Sequence, residues 1–181
     1  LMSTIKIHDK YFKPVITSAE IDVAIRKVAT KINKDMENKT PIFLVILNGS
    51  FMFASDLLKM VELSCEISFV KLASYEGTSS TEKVRQLIGF DEDVTGRSVV
   101  IIEDIIDSGI TMENVLGQLA MMGAEDVKIA TLLFKPDAFR KDYKIDYIGI
   151  EIPNDFIVGY GLDYDGQGRN LKDIYKITDN K

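Results

Sequence analysis

The sequence is poor in several residue types, and each shortage excludes a class of protein. Cys65 is the only cysteine in 181 residues, so no internal disulfide can form, and we expect a buried or incidental thiol in a cytoplasmic protein. His8, the only histidine, lies in a polar N-terminal segment, where a surface role is expected. No apolar run is long enough to span a membrane, and the first residues lack the charged-then-apolar order of a secretory signal. We therefore expect no membrane partner.

Basic residues are outnumbered by acidic ones. The chain has 22 Lys and Arg against 28 Asp and Glu, a net charge of −6. A surface that binds nucleic acid is normally basic, so no nucleic-acid partner is expected. Apolar residues make up 46% of the chain, enough to bury one sizeable core. Because no repeat, low-complexity segment or linker divides residues 1–181, we expect a single domain.

Apolar runs and helical periodicities alternate along the chain. This alternation is typical of an α/β fold in which helices flank a mostly parallel, twisted sheet. The predicted helices are Ser18–Ile32, Phe51–Val61 and Met112–Met122, with Ser18 as a capping residue. The predicted strands are Pro41–Leu47, Cys65–Leu72, Val99–Ile102, Val127–Phe134 and Tyr147–Ile152.

One predicted strand is followed directly by two acids. Val99–Ile102 is expected to be covered on both faces, so Glu103 and Asp104 should follow its carboxyl end, where open α/β sheets bind ligands. The loop 107–111 then precedes a helix. A glycine in such a turn lets backbone amides converge, and the helix N-terminus adds partial positive charge, which predicts a phosphate site. An Asp/Ser helix cap would explain Ser108 but not the two acids together.

Two common phosphate motifs are missing from this loop. It lacks the Gly-Lys-Ser/Thr ending of a triphosphate-binding loop and the spaced glycines of a dinucleotide fold. A monophosphate beside hydroxyl groups that two acids hold fits the pattern better.

The segment from Val99 to Thr111 resembles the phosphoribosyl-pyrophosphate binding motif of type I phosphoribosyltransferases. In that family, apolar residues precede two acids, and an Asp-Ser/Thr-Gly-x-Thr loop follows. The resemblance implies that Asp107 bonds N7 of a purine and acts as general base. It also implies a set of residues that bind the phosphoribosyl group: Glu103, Asp104, Asp107, Ser108, Gly109, Ile110 and Thr111.

A second loop, Leu47–Ser50, is expected at the same edge of the sheet. In the hypoxanthine and guanine members of the family a similar Leu-Lys/Arg-Gly-Ser/Gly loop holds the pyrophosphate, partly through its backbone. The resemblance therefore implies that Asn48 and Gly49 bind pyrophosphate. Asn48 replaces the usual cation, so a charge role at this position stays open. A plain turn with Asn-Gly geometry is the alternative. Arg169 aligns with a family arginine that contacts the pyrophosphate.

Residues 74–96 form a polar, glycine-bearing stretch that is either a lid or a passive hairpin. A lid would exclude water from an oxocarbenium-like transition state, which water would otherwise capture. Ser74 and Tyr75 match the start of the family's mobile loop, so the resemblance implies that the lid begins with them.

The last part of the chain resembles the arm that selects the base in 6-oxopurine phosphoribosyltransferases. The resemblance implies that Lys135 bonds the 6-oxo group, Phe156 stacks on the base and Ile157 supplies backbone contacts. Asp163 would reach the 2-position and Mg²⁺. The cofactor implied is Mg²⁺, and its implied protein partners are Glu103, Asp104 and Asp163.

The resemblance extends from about Ile42 to Tyr175 and is nearest to the bacterial type. It implies transfer of a 5-phosphoribosyl group to N9 of hypoxanthine and guanine, in a homodimer or homotetramer. It also implies a core of about residues 36–150 and a small hood from residues 1–35 and 151–181. A preference for xanthine, adenine or orotate, a regulatory sensor of phosphoribosyl pyrophosphate and an inactive interaction module remain alternatives.

Overall fold

A computed structural model describes residues 3–76 and 83–179, with the side chains of residues 73–88 outside the description. Within these residues, no helix combines the length and apolar character that crossing a membrane requires. The helices are α1 (Ser18–Asp35), α2 (Phe51–Leu58) and α3 (Ile110–Met121). The strands are β1 (Ile5–Ile7), β2 (Lys10–Ile16), β3 (Ile42–Leu47), β4 (Glu66–Glu76), β5 (Lys83–Ile88), β6 (Ser98–Ile106), β7 (Asp126–Phe134), β8 (Tyr147–Glu151), β9 (Ile157–Val158) and β10 (Ile174–Thr178).

A six-stranded sheet with the order β5-β4-β3-β6-β7-β8 forms the centre of the fold. Five of its strands run parallel, namely β4, β3, β6, β7 and β8, and β5 pairs antiparallel with β4 at one edge. This arrangement confirms the predicted fold class. Because β3, β6 and β7 are parallel neighbours, the loops after them leave the same edge of the sheet.

The central strands are buried on both faces, as their continuous apolar runs predict. Phe43 and Val45 of β3 pack with the helices α1 and α2 on one face of the sheet. Leu44 and Ile46, which alternate with them, pack with α3 on the other face. Burial on both faces holds these strands rigidly, so the loops at their carboxyl ends start from fixed positions.

The structure corrects several predicted boundaries. Strand β6 extends to Ile106, so Glu103 and Asp104 lie within it and not beyond its end. The strand continues because the hydrogen bonds between β6 and β7 join backbone groups and do not depend on the side chains. Glu103 pairs with Thr131 of β7 in this way. The cap of α1 is Thr17, not Ser18, because the Thr17 side chain accepts the Glu20 amide.

The other two helices also differ from their predicted spans. Helix α2 ends at Leu58, three residues before the predicted end, and α3 begins at Ile110, two residues before the predicted start. The earlier start of α3 places its first turn directly behind the glycine of the predicted phosphate loop.

A small antiparallel sheet with the order β1-β2-β10-β9 joins residues 5–16 to residues 157–178. Strand β10 lies between β2 and β9 and pairs with both. Phe12, fully buried, and Val158 form its own apolar cluster. This sheet positions the segment that contains Phe156, Ile157 and Asp163.

Candidate active site

A cavity of about 1040 Å³ opens at the carboxyl edge of the large sheet. The loops after β3 and β6 and the first turn of α3 supply most of its walls. The residues that line it include every predicted phosphoribosyl-binding residue, namely Glu103, Asp104, Asp107, Ser108, Gly109, Ile110 and Thr111. Gly49 of the predicted pyrophosphate loop also lines it.

The two adjacent acids of β6 are withdrawn from solvent to different degrees. Glu103 is 9% exposed, and its carboxylate accepts the amide of Asp104 at 3.1 Å. The Asp104 carboxylate accepts the Ile105 amide at 2.8 Å. Burial raises the pKa of Asp104 above the ordinary 3.8, while hydrogen bonding and the charge of Arg169 oppose this shift. The charged form of Asp104 is therefore costly in this setting.

The predicted phosphate loop has the backbone that a glycine permits. Gly109 is the N-cap of α3 with φ +82°, in the left-handed region that other residues rarely adopt. No side chain caps this helix, so the Asp/Ser cap considered as an alternative is absent. The amides of the first turn have no acceptor within the helix. An anion in the cavity can accept hydrogen bonds at this end of the helix, where the helix dipole also favours negative charge.

Sequence reasoning missed the segment between β7 and β8, which packs against this loop. The Tyr143 hydroxyl donates to the Gly109 carbonyl at 2.7 Å, and burial, together with the nearby charge of Glu113, raises its pKa to about 12. Lys141 lines the cavity and pairs with Glu113 at 2.6 Å. The segment has no regular periodicity; its one available signal was its position after a strand that neighbours β6.

The predicted pyrophosphate residues lie at a close crossing of two loops. A Cβ at position 49 would overlap the Asp104 carboxylate, and a Cβ at position 161 would overlap the Gly49 carbonyl. Glycine is therefore required at both positions. Arg169 donates to the Gly161 carbonyl at 2.8 Å and pairs with Asp163 at 2.8 Å. Asn48 is exposed, and neither Asn48 nor Arg169 lines the large cavity.

None of the residues predicted to select the base is part of the lining of the large cavity. Lys135 follows β7, and its amide donates to the Ile106 carbonyl at 3.0 Å, at the end of β6. Phe156 is 46% exposed, with its ring centroid 5.8 Å from that of Tyr164. Ile157 is buried in β9. An exposed aromatic ring such as that of Phe156 can stack on a planar ligand.

Comparison with known proteins agrees with this geometry. The phosphoribosyl transferase domain family matches residues 17–165. The chain belongs to this family. It is 39% identical over 168 residues to the hypoxanthine phosphoribosyltransferase of Buchnera aphidicola, covering 91% of this chain and 95% of that one. It is 36% identical over 160 residues to the hypoxanthine-guanine phosphoribosyltransferase of Bacillus subtilis, covering 88% and 89%.

A solved structure is similar in fold as well. The crystal structure of a hypoxanthine phosphoribosyltransferase from Staphylococcus aureus has a TM-score of 0.84 and 33% identity, covering 92% of this chain and 91% of that one. As a member of the phosphoribosyl transferase domain family, the chain has the fold of a phosphoribosyltransferase.

The lid predicted for this phosphoribosyltransferase is described only in part. Ser74 and Tyr75 lie on β4, where their backbones pair with Arg85 and Val84 of β5. Their side chains, and residues 77–82 between the two strands, lie outside the described residues. The described part is an antiparallel strand pair, and closure over the site stays a prediction.

The predicted metal ligands Glu103, Asp104 and Asp163 are all carboxylates, the donors that Mg²⁺ prefers. Among the residues that the structure describes, no three His, Cys, Asp or Glu side chains form a group that could hold a metal ion. Mg²⁺ does not need such a cage, because it binds through one or two carboxylates plus substrate phosphates and waters. Asp104 lies against Gly49, and Asp163 pairs with Arg169. These carboxylates fit a metal that arrives bound to a diphosphate.

Proposed function

We propose that this chain transfers the 5-phosphoribosyl group of phosphoribosyl pyrophosphate to N9 of hypoxanthine and guanine, in purine salvage. The observation that carries the proposal is the single cavity that joins the Asp107–Thr111 loop, the Glu103–Asp104 pair and Gly49. Lys135 directly follows β7, the strand next to β6 in the large sheet, and Phe156 directly precedes β9 of the small sheet. The similarity to hypoxanthine and hypoxanthine-guanine phosphoribosyltransferases supports hypoxanthine and guanine as the bases.

The reaction breaks the bond between C1 of the ribose and a pyrophosphate oxygen, and forms a bond between C1 and N9. The first-turn amides of α3 bind the 5-phosphate, and Glu103 and Asp104 hold the ribose hydroxyls. Gly49, Asn48 and Arg169 hold the leaving pyrophosphate. Asp107 hydrogen-bonds N7 and takes up the purine proton as general base. Inversion at C1 is expected because N9 and pyrophosphate occupy opposite sides.

The proposed cofactor is Mg²⁺, with Glu103, Asp104 and Asp163 as its protein partners, directly or through water. When bound, it neutralises charge that develops on the leaving pyrophosphate. Asp163 accepts the Gly166 amide at 2.8 Å and pairs with Arg169, so its carboxylate is fixed beside the pyrophosphate residues.

The test is a product-formation assay with phosphoribosyl pyrophosphate and each of hypoxanthine, guanine, xanthine, adenine and orotate. We expect IMP and GMP with Mg²⁺ and a loss of turnover with EDTA that added Mg²⁺ restores. Product from orotate or adenine alone would contradict the base assignment. Absence of any nucleotide product, together with retained binding of phosphoribosyl pyrophosphate, would favour the regulatory sensor.

We further propose that the chain forms a homodimer or homotetramer in the cytoplasm and that the small sheet serves as a hood over the core. Ile67 and Phe69 of β4 are 46% and 54% exposed, and burial between copies would remove this apolar surface from water. Light scattering measures the mass in solution, and a monomer at micromolar concentration would contradict the proposal.

A further inference from the structure

Negative charge dominates the walls of the large cavity. Of the described residues that line it, four are carboxylates, and Lys141 is the one basic side chain; the carboxylates are Glu103, Asp104, Asp107 and Glu113. A phosphomonoester carries a charge of about −1.5 to −2 near pH 7. The dipole of α3 supplies only about half a positive charge. A full positive charge close to the loop would strengthen the binding of a phosphomonoester here.

Lys141 is held against the phosphate loop by its own segment. The Arg140 amide donates to the Ser108 carbonyl at 3.4 Å, and the Tyr143 hydroxyl donates to the Gly109 carbonyl at 2.7 Å. The aliphatic stem of Lys141 lies over Gly109, 3.0 Å from where a Cβ would be. These contacts, on both sides of Lys141 in the chain, fix where its ammonium group can reach.

The present partner of Lys141 is an exchangeable one. Its ammonium lies 2.6 Å from Glu113, in the first turn of α3, and the Glu113 side chain is 55% exposed. An ion pair with one partner in water contributes about 1 kcal/mol or less. A phosphate dianion seated on the amides of the same turn would attract the ammonium more strongly than a solvated carboxylate does.

We propose that Lys141 binds the 5-phosphate of the substrate and of the nucleotide product, and that Glu113 holds the ammonium until the phosphate displaces it. This inference rests on the proposed function, because it assigns a further binding residue to the same site. It makes Lys141 a ligand of the phosphate and Glu113 a competitor for it.

The two partners of the ion pair should therefore have opposite effects. Lys141→Gln should raise the KM for phosphoribosyl pyrophosphate and the inhibition constant of IMP about tenfold. Glu113→Gln should lower both about threefold, because it removes the competing charge. The KM for hypoxanthine and the inhibition constant of pyrophosphate, which bind elsewhere in the site, should change less than about twofold in either variant. A purely structural ion pair would instead weaken both variants in the same direction.

A matched control lies three residues away in the same segment. The Lys144 side chain is 79% exposed and lies 3.5 Å from Asp146, so Lys144→Gln removes the same charge without touching the cavity. It should leave every constant unchanged, and Lys141→Arg should retain most of the affinity. Thermal melting of each variant identifies any loss of fold.

Calorimetric binding of ribose 5-phosphate separates this inference from the proposed function, since it needs no turnover. Tenfold weaker binding by Lys141→Gln supports the inference even if no nucleotide is formed. If the wild-type protein makes IMP while Lys141→Gln binds ribose 5-phosphate as tightly as wild type, the inference is wrong and the proposed function stands. If ribose 5-phosphate binds to neither protein, the inference is also wrong.

Discussion

Asp107 directly follows β6 and is exposed, whereas Glu103 is buried and Asp104 is half-buried, four and three residues earlier. The Asp107 carboxylate accepts the amide of Ser108, which fixes its direction at the start of the phosphate loop. Three acids within five positions thus differ in their access to water. An exposed carboxylate can exchange protons with a ligand, while the buried ones are suited to hold hydroxyl groups.

Asp107→Asn should lower kcat about a hundredfold or more, because the amide cannot accept the purine proton. The KM values should change less than about threefold, since the amide oxygen still accepts the Ser108 N–H. Steady-state kinetics with each substrate varied in turn measures kcat and both KM values. Asp137→Asn is the control, because Asp137 is exposed in the loop after β7. An equal change in kcat and KM would contradict the general-base role.

Asp104→Asn should stabilise the fold and weaken substrate binding. Burial raises the pKa of Asp104 above the ordinary 3.8, so the charged carboxylate costs stability at neutral pH. The variant should gain about 0.5–2 kcal/mol at pH 7. It should also raise the KM for phosphoribosyl pyrophosphate about tenfold, because a charged acceptor for the ribose hydroxyls is lost.

The pH dependence of this gain distinguishes desolvation from other causes. Because the pKa of Asp104 is higher in the folded state, its charge lowers the free energy of unfolding by the full amount above the folded pKa. Below about 3.8, the ordinary value, Asp104 is protonated in both states and this loss of stability is absent. The advantage of Asp104→Asn, measured by denaturant unfolding, should therefore shrink as pH falls from 7 toward 4. If Asp104→Asn is less stable than wild type at pH 7, desolvation of Asp104 does not determine its contribution to stability.

At the scale of elements, α2 and the loop before β10 are joined across the candidate pyrophosphate residues. The buried Tyr160 hydroxyl donates to Asp56 of α2, and burial raises the Tyr160 pKa far above its ordinary range. Gly161, the next residue, touches the Gly49 carbonyl and accepts from Arg169. The hydrogen bond therefore sets the distance between two loops that lie far apart in the sequence.

Tyr160→Phe should destabilise the protein by about 1–2 kcal/mol, because a hydrogen bond to a charged acceptor is lost. It should also weaken inhibition by pyrophosphate, because the Tyr160 hydrogen bond holds Gly161 against Gly49 and Arg169. Calorimetry and inhibition kinetics measure the two effects. Tyr164→Phe is the matched control, because the Tyr164 hydroxyl donates to the exposed Asp9 at 2.7 Å.

This destabilisation should depend on pH. Burial opposes ionisation of Asp56, but its hydrogen bonds from Lys59 and Tyr160 outweigh burial and lower its pKa below 3.8. Because the pKa of Asp56 is lower in the folded state, its charged form stabilises the fold above pH 3.8. This contribution is lost as the pH falls through the folded pKa. The difference between wild type and Tyr160→Phe should narrow only in that acid range; a difference that is constant to pH 3 would contradict the coupling.

At the scale of the whole molecule, the two sheets divide the site between them. The large sheet supplies the cavity and its phosphate loop, and the small sheet supplies Phe156. Phe12 of β2 is fully buried, with ring centroids 6.3 Å from Phe156 and 5.8 Å from Tyr164. The ring proposed to stack on the base is thus supported by a strand near the opposite end of the chain.

Phe12→Leu should cost about 1–2 kcal/mol of stability through the space it leaves. It should raise the KM for hypoxanthine with little change in the KM for phosphoribosyl pyrophosphate, because only the small sheet is disturbed. Unfolding curves and kinetics measure both. Val15→Ala is the control, because Val15 lies on the same strand and is 40% exposed. It should change neither the stability nor the KM for hypoxanthine. If Phe12→Leu changes the two KM values equally, this division of the site is wrong.

The sequence by itself determined the parallel sheet, the strands that form its centre and the phosphate loop. Each is encoded over a few consecutive residues: apolar runs such as Ile42–Leu47 bury both faces of a strand, and Gly109 permits the left-handed turn before α3. Local patterns also placed the acids at the correct edge of the sheet. They ended β6 too early, because its last ladder bonds with β7 form between backbones whatever the side-chain charge.

Only the tertiary structure decided which distant residues meet at that edge. Lys141 lies over Gly109, Gly161 touches Gly49, and Tyr160 bonds Asp56. None of these pairs has a periodicity or motif that links its members, since they meet through strand order and the paths of irregular loops. The raised pKa of Asp104 has the same origin, because burial is a property of the assembled fold and not of the local sequence.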